Sequence, residues 1–306
     1  MPGSLANRMP DGRSTGIAMR PSAAPGRGDL ATAHRVARLA VRSLYVELVL
    51  YPKPGLVSLR DNGAHSDMNA ETLMRSLFSL RCYFVAIALA GMRSASMGEL
   101  RVLGLAAELR MLRATAQVNT HRGAIFTLGL LVAAAGLASS YGHPPNDTTL
   151  RNMIALNWRR ELLKVPAPAA SGPTHGQLVA ARYGASGALG EAIDGFPAVF
   201  DVALPALRFA VSRGAGARYA QVHALFALLA RIDDTNVLYR GGPAAARRLK
   251  SGAADFLAAG SVFAADWEQR AEALHRWSSS VRLSPGGCAD LLAGAVFVDQ
   301  WQAAQA

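Results

Sequence analysis

The fold class is indicated most directly by residues 124–138, AIFTLGLLVAAAGLA, the longest apolar stretch in the chain. Alanine and leucine dominate it, and both are strong helix formers. A membrane-spanning helix needs about 20 apolar residues, and this stretch is shorter, contains Thr127 and follows the charged Arg122. We therefore predict a helix buried in a protein core and no membrane association.

The surrounding sequence has the same character. Hydrophobic residues make up 51% of the 306 residues and aromatic residues only 7%, and β-branched runs are scarce. After a candidate N-cap at Asn69, apolar residues recur at steps of four and three, the spacing of one helix face, at Leu73, Leu77, Leu80, Phe84 and Ile87. Helices are predicted at about 29–50, 69–91, 97–117, 121–138, 149–164, 187–210, 216–231, 243–259, 262–279 and 286–302. The prediction is an all-α, single compact domain of about ten helices over residues 29–306.

Residues 1–28 differ in composition from the rest. They are rich in Pro, Gly, Ser and Arg and lack large apolar runs, which predicts a disordered tail without a signal peptide and hence a cytoplasmic protein. Residues 165–176 are a loop or lid candidate. Cys82 and Cys288 have no zinc or disulfide spacing, and we expect two buried thiols.

The formal net charge of +11 indicates anionic ligands. No basic stripe interleaved with aromatic residues is present, so we expect phosphorylated small molecules and no nucleic acid.

Polar residues gather at predicted helix ends in four clusters, at 52–67, 119–123, 233–242 and 284–287. Free N–H groups and the positive dipole of a helix N-terminus suit phosphate oxygens, and glycines allow close approach. Each cluster also has a structural explanation: turns, helix caps, or a serine cap followed by Pro285. Asp233 and Asp234 follow an apolar helix, where carboxylates oppose the dipole, so a cation or basic partner is expected there. The Walker A, GxSxG and HExxH motifs are absent.

Five segments resemble, in order, those of triphosphoribosyl-dephospho-CoA synthases. They are YPKPGLVS at 51–58, NGAHSDM at 62–68, NTHRGAIF at 119–126, DTN at 234–236 with RGG at 240–242, and SPGGCADLLA at 284–293. The resemblance extends over residues 31–302. The segment 51–58, with serine at position 58, resembles the branch of the family that serves malonate decarboxylase. The branch that serves citrate lyase tends to carry aspartate at this position. Arg122 replaces a lysine common in the citrate branch and keeps its positive charge.

The resemblance implies that ATP and 3′-dephospho-CoA are substrates and that adenine and 2′-(5″-triphosphoribosyl)-3′-dephospho-CoA are products. A separate transferase would attach this product to the acyl-carrier subunit of malonate decarboxylase. The chemistry needs a base for the attacking hydroxyl, positive charge for the triphosphate, and Mg²⁺. A direct attack would invert the anomeric centre and an enzyme-bound intermediate would retain it, and the sequence leaves both open.

Candidate residues follow from these motifs. The catalytic candidates are Asp234, Asp233, Asp67, Glu108 and His121. The candidates for nucleotide binding are Lys53, Gly55, Arg60, His65, Asn119, Thr120, Arg122, Gly123, Asn236, Arg240, Gly286 and Gly287. The candidate Mg²⁺ ligands are Asp233, Asp234 and Glu191. Ser284 and Asp290 rank lower because a helix cap explains both.

Two alternatives remain at this point. A Mg²⁺-dependent nucleotide N-glycosidase or hydrolase would use the same residues with water as the acceptor. A binding protein for acidic partners would depend on the Arg-rich tail. A homodimer is possible. Asp234→Asn is expected to keep the fold and to lower turnover.

Overall fold

The computed structural model describes residues 25–143, 145–164, 175–185 and 187–304. These residues form helices and connecting turns with no β-strand, which confirms the all-α prediction. The first half contains α1 (Arg27–Val49), α2 (Ala70–Ser79), α3 (Arg81–Met92), α4 (Met97–Ala114), α5 (Arg122–Ser140), α6 (Asp147–Asn157) and α7 (Arg159–Leu162). The second half contains α8 (His175–Tyr183), α9 (Gly187–Ile193), α10 (Leu204–Ser212), α11 (Ala217–Arg231), α12 (Thr235–Ala258), α13 (Trp267–Ser280) and α14 (Gly286–Ala303). A π-helical turn (Ala198–Ala203) and a 3-10 turn (Ser261–Phe263) complete the described part.

The helices are more numerous than predicted because several predicted segments are broken, whereas α12 begins at Thr235, before the start predicted at residue 243. Leu80 separates α2 from α3, and Trp158 separates α6 from α7. Gly195 and Phe196 have positive φ angles of 75° and 55° and end α9 before the turn that leads into α10. Asn69 is the N-cap of α2, as predicted, and its side chain accepts the Thr72 N–H.

Helix α5 is the centre of the core. Apart from Phe126, every residue from Ala124 to Ala138 is buried, and the helix contacts α1, α3, α4, α6 and α14. By length and composition Ala70–Met92 and Arg122–Ser140 could each cross a membrane, as could the bent pair Gly187–Ile193 with Ala198–Ser212. The apolar composition of α5 is accounted for by its burial among other helices of the same chain, which confirms the predicted core helix.

Close packing of α3 against α5 depends on glycine. A Cβ atom at Gly91 would collide with the backbone oxygen of Ala133, and one at Gly136 would collide with the backbone oxygen of Ala88. The two helices therefore meet backbone to backbone at these points, and larger residues would force them apart.

Three predictions need qualification. Helix α1 begins at Arg27, inside the predicted tail, whereas residues 1–24 lie outside the described residues. Most of the lid candidate, residues 165–174, also lies outside them. Cys288 is buried as expected, but Cys82 is exposed, because its position on α3 faces away from the core.

Replacing Gly91 with alanine is expected to lower the free energy of unfolding by about 1–3 kcal/mol through overpacking against α5. Gly104→Ala on α4 is the matched control, because its Cβ would make only ordinary contacts at 3.9 Å. Since alanine favours helix by about 1 kcal/mol over glycine, the control should be as stable as the parent or more so. Urea denaturation of both variants measures this, and equal stability would contradict the packing account.

Candidate active site at a junction of helix N-termini

Asp234 joins the starts of two helices. It is the N-cap of α12, where its Oδ1 accepts the N–H groups of Asn236 at 2.8 Å and Val237 at 3.3 Å. Its Oδ2 accepts the N–H of Cys288 in the first turn of α14 at 2.8 Å. Carboxylates stabilise helix N-termini by accepting otherwise unpaired N–H groups and by complementing the dipole. One side chain therefore fixes α12 against α14.

This geometry corrects the interpretation of the two consecutive aspartates. Asp234 begins α12 and does not follow the end of α11 as a destabilising charge, so the dipole argument for a bound cation no longer holds. Asp233 points away and pairs with Lys250 at 2.7 Å on the surface. The structure thus separates the two carboxylates.

Asp290 makes the corresponding connection to α5. It lies in the second turn of α14 and accepts the N–H of Ala124 in the first turn of α5. Burial raises its pKa well above the ordinary value, and the negative charges of Glu47 and Asp234 add to this effect. Asp290 therefore caps a helix, as expected, but it caps α5 through the Ala124 N–H and not α14, the helix to which it belongs. The N-termini of α5, α12 and α14 converge.

Glycines make this convergence possible. A Cβ at Gly123 would collide with the carboxylate of Asp290, and one at Gly287 would lie 2.9 Å from Asp234 Oδ2. A Cβ at Gly286 would lie 3.0 Å from Asn236 Nδ2. The backbone N–H groups of these three glycines have no hydrogen-bond partner among the described residues. They remain available to a ligand.

Lys53 supplies a buried positive charge beside the junction. Its Nζ donates to the side-chain Oε1 and to the backbone oxygen of Glu47, both at 2.6 Å. Burial lowers the pKa of Lys53, and the Glu47 carboxylate opposes that shift. Two of the three ammonium hydrogens of Lys53 therefore bind Glu47, and the Lys53 side chain is only 1% exposed. Glu47, on α1, is a partner that the sequence pattern did not predict.

His121 is buried at the N-cap position of α5. Its Nδ1 lies 2.6 Å from Ser76 Oγ, to which Thr120 Oγ1 donates at 2.6 Å. Burial, and then the charge of Lys53, lowers the pKa of His121 to about 4. The ring is therefore neutral at pH 7 and suited to hydrogen bonding.

His65 connects the loop 51–68 with the chain before α14. Its Nε2 lies 2.8 Å from Ser284 Oγ and its Nδ1 lies 3.3 Å from Asp67 Oδ1. Burial lowers the pKa of His65, the charge of Arg240 on α12 lowers it further, and Asp67 opposes both. Pro285 occupies the N-cap position of α14, so the expected serine cap is wrong: the Ser284 hydroxyl contacts His65 instead.

A cavity borders the loop 51–68 on the side of α13. It has a volume of about 420 Å³ and is lined by Tyr51, Asp61, Asn62, Gly63, His275, Arg276 and Ser279. His275 contacts the Lys53 backbone oxygen through Nδ1 at 2.7 Å and the Asp61 carboxylate through Nε2 at 3.0 Å. Neither residue was a candidate, because the sequence around His275 carries no recognisable motif and only the folded chain brings α13 to the loop.

The remaining candidates have other partners. Glu108 pairs with Arg122, and Arg60 stacks 4.6 Å from the ring centroid of Tyr51. Glu191 accepts the Ala198 N–H at 2.9 Å, and burial raises its pKa.

Two further candidates shape the backbone. Asn119 Oδ1 accepts the Arg122 N–H at 3.3 Å. Gly55 has a φ of 67° and passes the backbone oxygen of Leu283, where a side chain would collide. No group of three or more His, Cys, Asp or Glu residues in the described ranges is arranged to hold a metal by itself.

Asp234→Asn is now expected to destabilise the protein, contrary to the expectation from sequence. An asparagine amide has one acceptor oxygen, so its NH₂ group would face a backbone N–H. The free energy of unfolding should fall by about 2 kcal/mol. Asp233→Asn is the matched control and should change it by less than about 1 kcal/mol, because its ion pair is exposed. Denaturation curves of the two variants that coincide would disprove the capping role.

Comparison with known proteins identifies the family. The family CitG, described as ATP:dephospho-CoA triphosphoribosyl transferase, matches residues 33–306. A protein of Pseudomonas paraeruginosa named "Probable 2-(5''-triphosphoribosyl)-3'-dephosphocoenzyme-A synthase" is 42% identical over 92% of this chain and 95% of its own length. A protein of the same name from Acinetobacter calcoaceticus is 37% identical over 87% of this chain and 90% of its own. No solved structure matches. The chain belongs to the ATP:dephospho-CoA triphosphoribosyl transferase family.

Proposed function

We propose that this protein transfers the triphosphoribosyl group of ATP to the 2′-hydroxyl of 3′-dephospho-CoA and releases adenine. The bond between C1′ of the ATP ribose and N9 of adenine breaks, and a bond from that carbon to the acceptor oxygen forms. The hydroxyl proton leaves and adenine gains one, so the reaction is balanced. Family membership and the names of the relatives support this reaction.

The observation that carries the proposal is the convergence of α5, α12 and α14. Gly123, Gly286 and Gly287 present unpaired backbone N–H groups at two of these N-termini. Helix N-termini bind phosphate through such groups and through their dipoles. Arg240 adds positive charge near this junction, because its charge lowers the pKa of the neighbouring His65. These groups fit a triphosphate, which stays attached to the ribose during the transfer.

Neutral His121 fits a role as a hydrogen-bond donor. If the Ser76 hydroxyl donates to Nδ1, the ring carries its hydrogen on Nε2, for which the described residues provide no partner. A neutral donor can stabilise negative charge that develops on departing adenine without transferring a proton.

We extend the proposal to Mg²⁺ bound together with ATP. The described ranges contain no cluster of three or more His, Cys, Asp or Glu that could hold the ion alone, and Mg²⁺ usually retains waters and phosphate oxygens as ligands. Asp290 is the carboxylate that would hold it, since Asp234 already accepts three N–H groups and Glu191 caps another turn. The like charges of Glu47 and Asp234 around Asp290 also favour a cation there. Mg²⁺ held by Asp290 would neutralise charge on the triphosphate.

The product would serve malonate decarboxylase in the cytoplasm, where a separate transferase attaches it to the acyl-carrier subunit. This part of the proposal is supported by Ser58, which resembles the malonate branch, and by Arg122, which departs from the lysine common in the citrate branch. Ser58 is buried, and its Oγ accepts the Arg60 N–H at 3.1 Å, so it shapes the loop 51–68.

The reaction can be tested with ATP and Mg²⁺, with and without 3′-dephospho-CoA, by measuring adenine and the masses of the nucleotide products. Adenine is expected only with the acceptor, together with a product that has gained one triphosphoribosyl group. Chelation of Mg²⁺ with EDTA should abolish both signals. Adenine release without the acceptor would support the nucleotide N-glycosidase instead, and no adenine from the folded protein would refute both.

A further inference from the structure

The contact between His65, Asp67 and Ser284 has the geometry of a base held by an orienting carboxylate. Asp67 Oδ1 lies 3.3 Å from His65 Nδ1, and on the opposite side of the ring Nε2 lies 2.8 Å from Ser284 Oγ. A carboxylate accepts the hydrogen of Nδ1, which leaves the lone pair on Nε2. That lone pair already faces a hydroxyl group.

We propose that His65 is the general base that takes the proton from the attacking 2′-hydroxyl, and that Asp67 is the residue that positions its ring. The inference rests on the proposed transfer reaction and assigns the proton acceptor of that reaction. In the step, Nε2 takes the hydroxyl proton while the acceptor oxygen bonds to C1′ and the bond to adenine breaks. His65 then returns the proton to solvent, and adenine gains one.

The carboxylates that were candidates for the general base are less suited to accept this proton. Asp234 accepts three backbone N–H groups, and Asp233 and Glu108 are engaged with Lys250 and Arg122. The side chain of His65 is 9% exposed and contacts Ser284. Ser284 lies two residues before Gly286, whose N–H group is unpaired among the described residues. A base at this point lies beside the groups that fit the triphosphate.

The charged groups around His65 make the proposal testable by pH. Burial and Arg240, from α12, disfavour the protonated ring, and Asp67, from the same loop, favours it. Ser284, which precedes α14, contributes only a neutral hydroxyl. A general base must be unprotonated, so its pKa sets the acidic limb of the kcat/KM profile.

The two charge variants should move this limb in opposite directions. Asp67→Asn removes the negative neighbour, lowers the pKa of His65 and shifts the acidic limb to lower pH, with a reduced kcat. Arg240→Gln removes the positive neighbour, raises the pKa of His65 and shifts the acidic limb to higher pH, independently of any change in KM. Shifts of about half a unit or more are expected. Both side chains are at the surface, so both variants should fold.

His65→Gln should lower kcat by roughly 10²–10⁴-fold and remove the limb. His34→Gln, at an exposed position on α1, is the matched control and should leave both unchanged. Ser284→Ala should keep kcat within about tenfold, because the acceptor hydroxyl supplies the reacting proton.

Three results would overturn the proposal while leaving the transfer reaction intact. The acidic limb could stay in place in both charge variants, or His65→Gln could keep normal turnover with the acceptor. Inactive Ser284→Ala, with a triphosphoribosyl group trapped on Ser284 in the parent protein, would identify Ser284 as a nucleophile. If the parent protein transfers nothing to 3′-dephospho-CoA, the proposed function itself fails.

Discussion

Two carboxylates, the buried Asp234 and the partly buried Asp290, hold together the starts of three helices. Asp234 accepts N–H groups from both α12 and α14, and Asp290 accepts one from α5. Because α5 is the central helix of the core, its direction fixes the surroundings of α1, α3 and α14. The polar junction therefore also fixes the position of α5, around which the other core helices pack.

The junction brings negative charges together, which is unfavourable, but it also creates a site that can bind a ligand. Burial and the like charges of Glu47 and Asp234 raise the pKa of Asp290, and backbone N–H groups, helix dipoles and the pairing of Glu47 with Lys53 offset the cost of bringing these carboxylates together. Glycines at 123, 286 and 287 let the carboxylates approach and leave unpaired N–H groups beside them. The same geometry therefore stabilises the fold and creates a place for phosphate oxygens.

Local sequence patterns predicted the features that depend on neighbouring residues. The all-α class, the buried α5 and the Asn69 cap follow from periodicity, composition and capping preference, which act within one or two helical turns. The helix-dipole argument at Asp234 was wrong because this residue caps α12 and also accepts the Cys288 N–H of a distant helix, a contact that the local pattern does not show. His275 was missed because Asp61 becomes its partner only when α13 packs against the loop 51–68. Glu47 was missed although its partner Lys53 lies only six residues further along the chain, because Glu47 belongs to α1 and to none of the polar clusters at helix ends.

The central claim is that the N-termini of α5 and α14, at their junction with α12, receive the triphosphate, and amide hydrogen exchange with and without ATP and Mg²⁺ tests it most directly. The account predicts slower exchange at the first turns of α5 and α14, at Gly123, Gly286 and Gly287, when the nucleotide binds. Protection confined to the cavity between Tyr51 and His275, with unchanged exchange at those glycines, would contradict it.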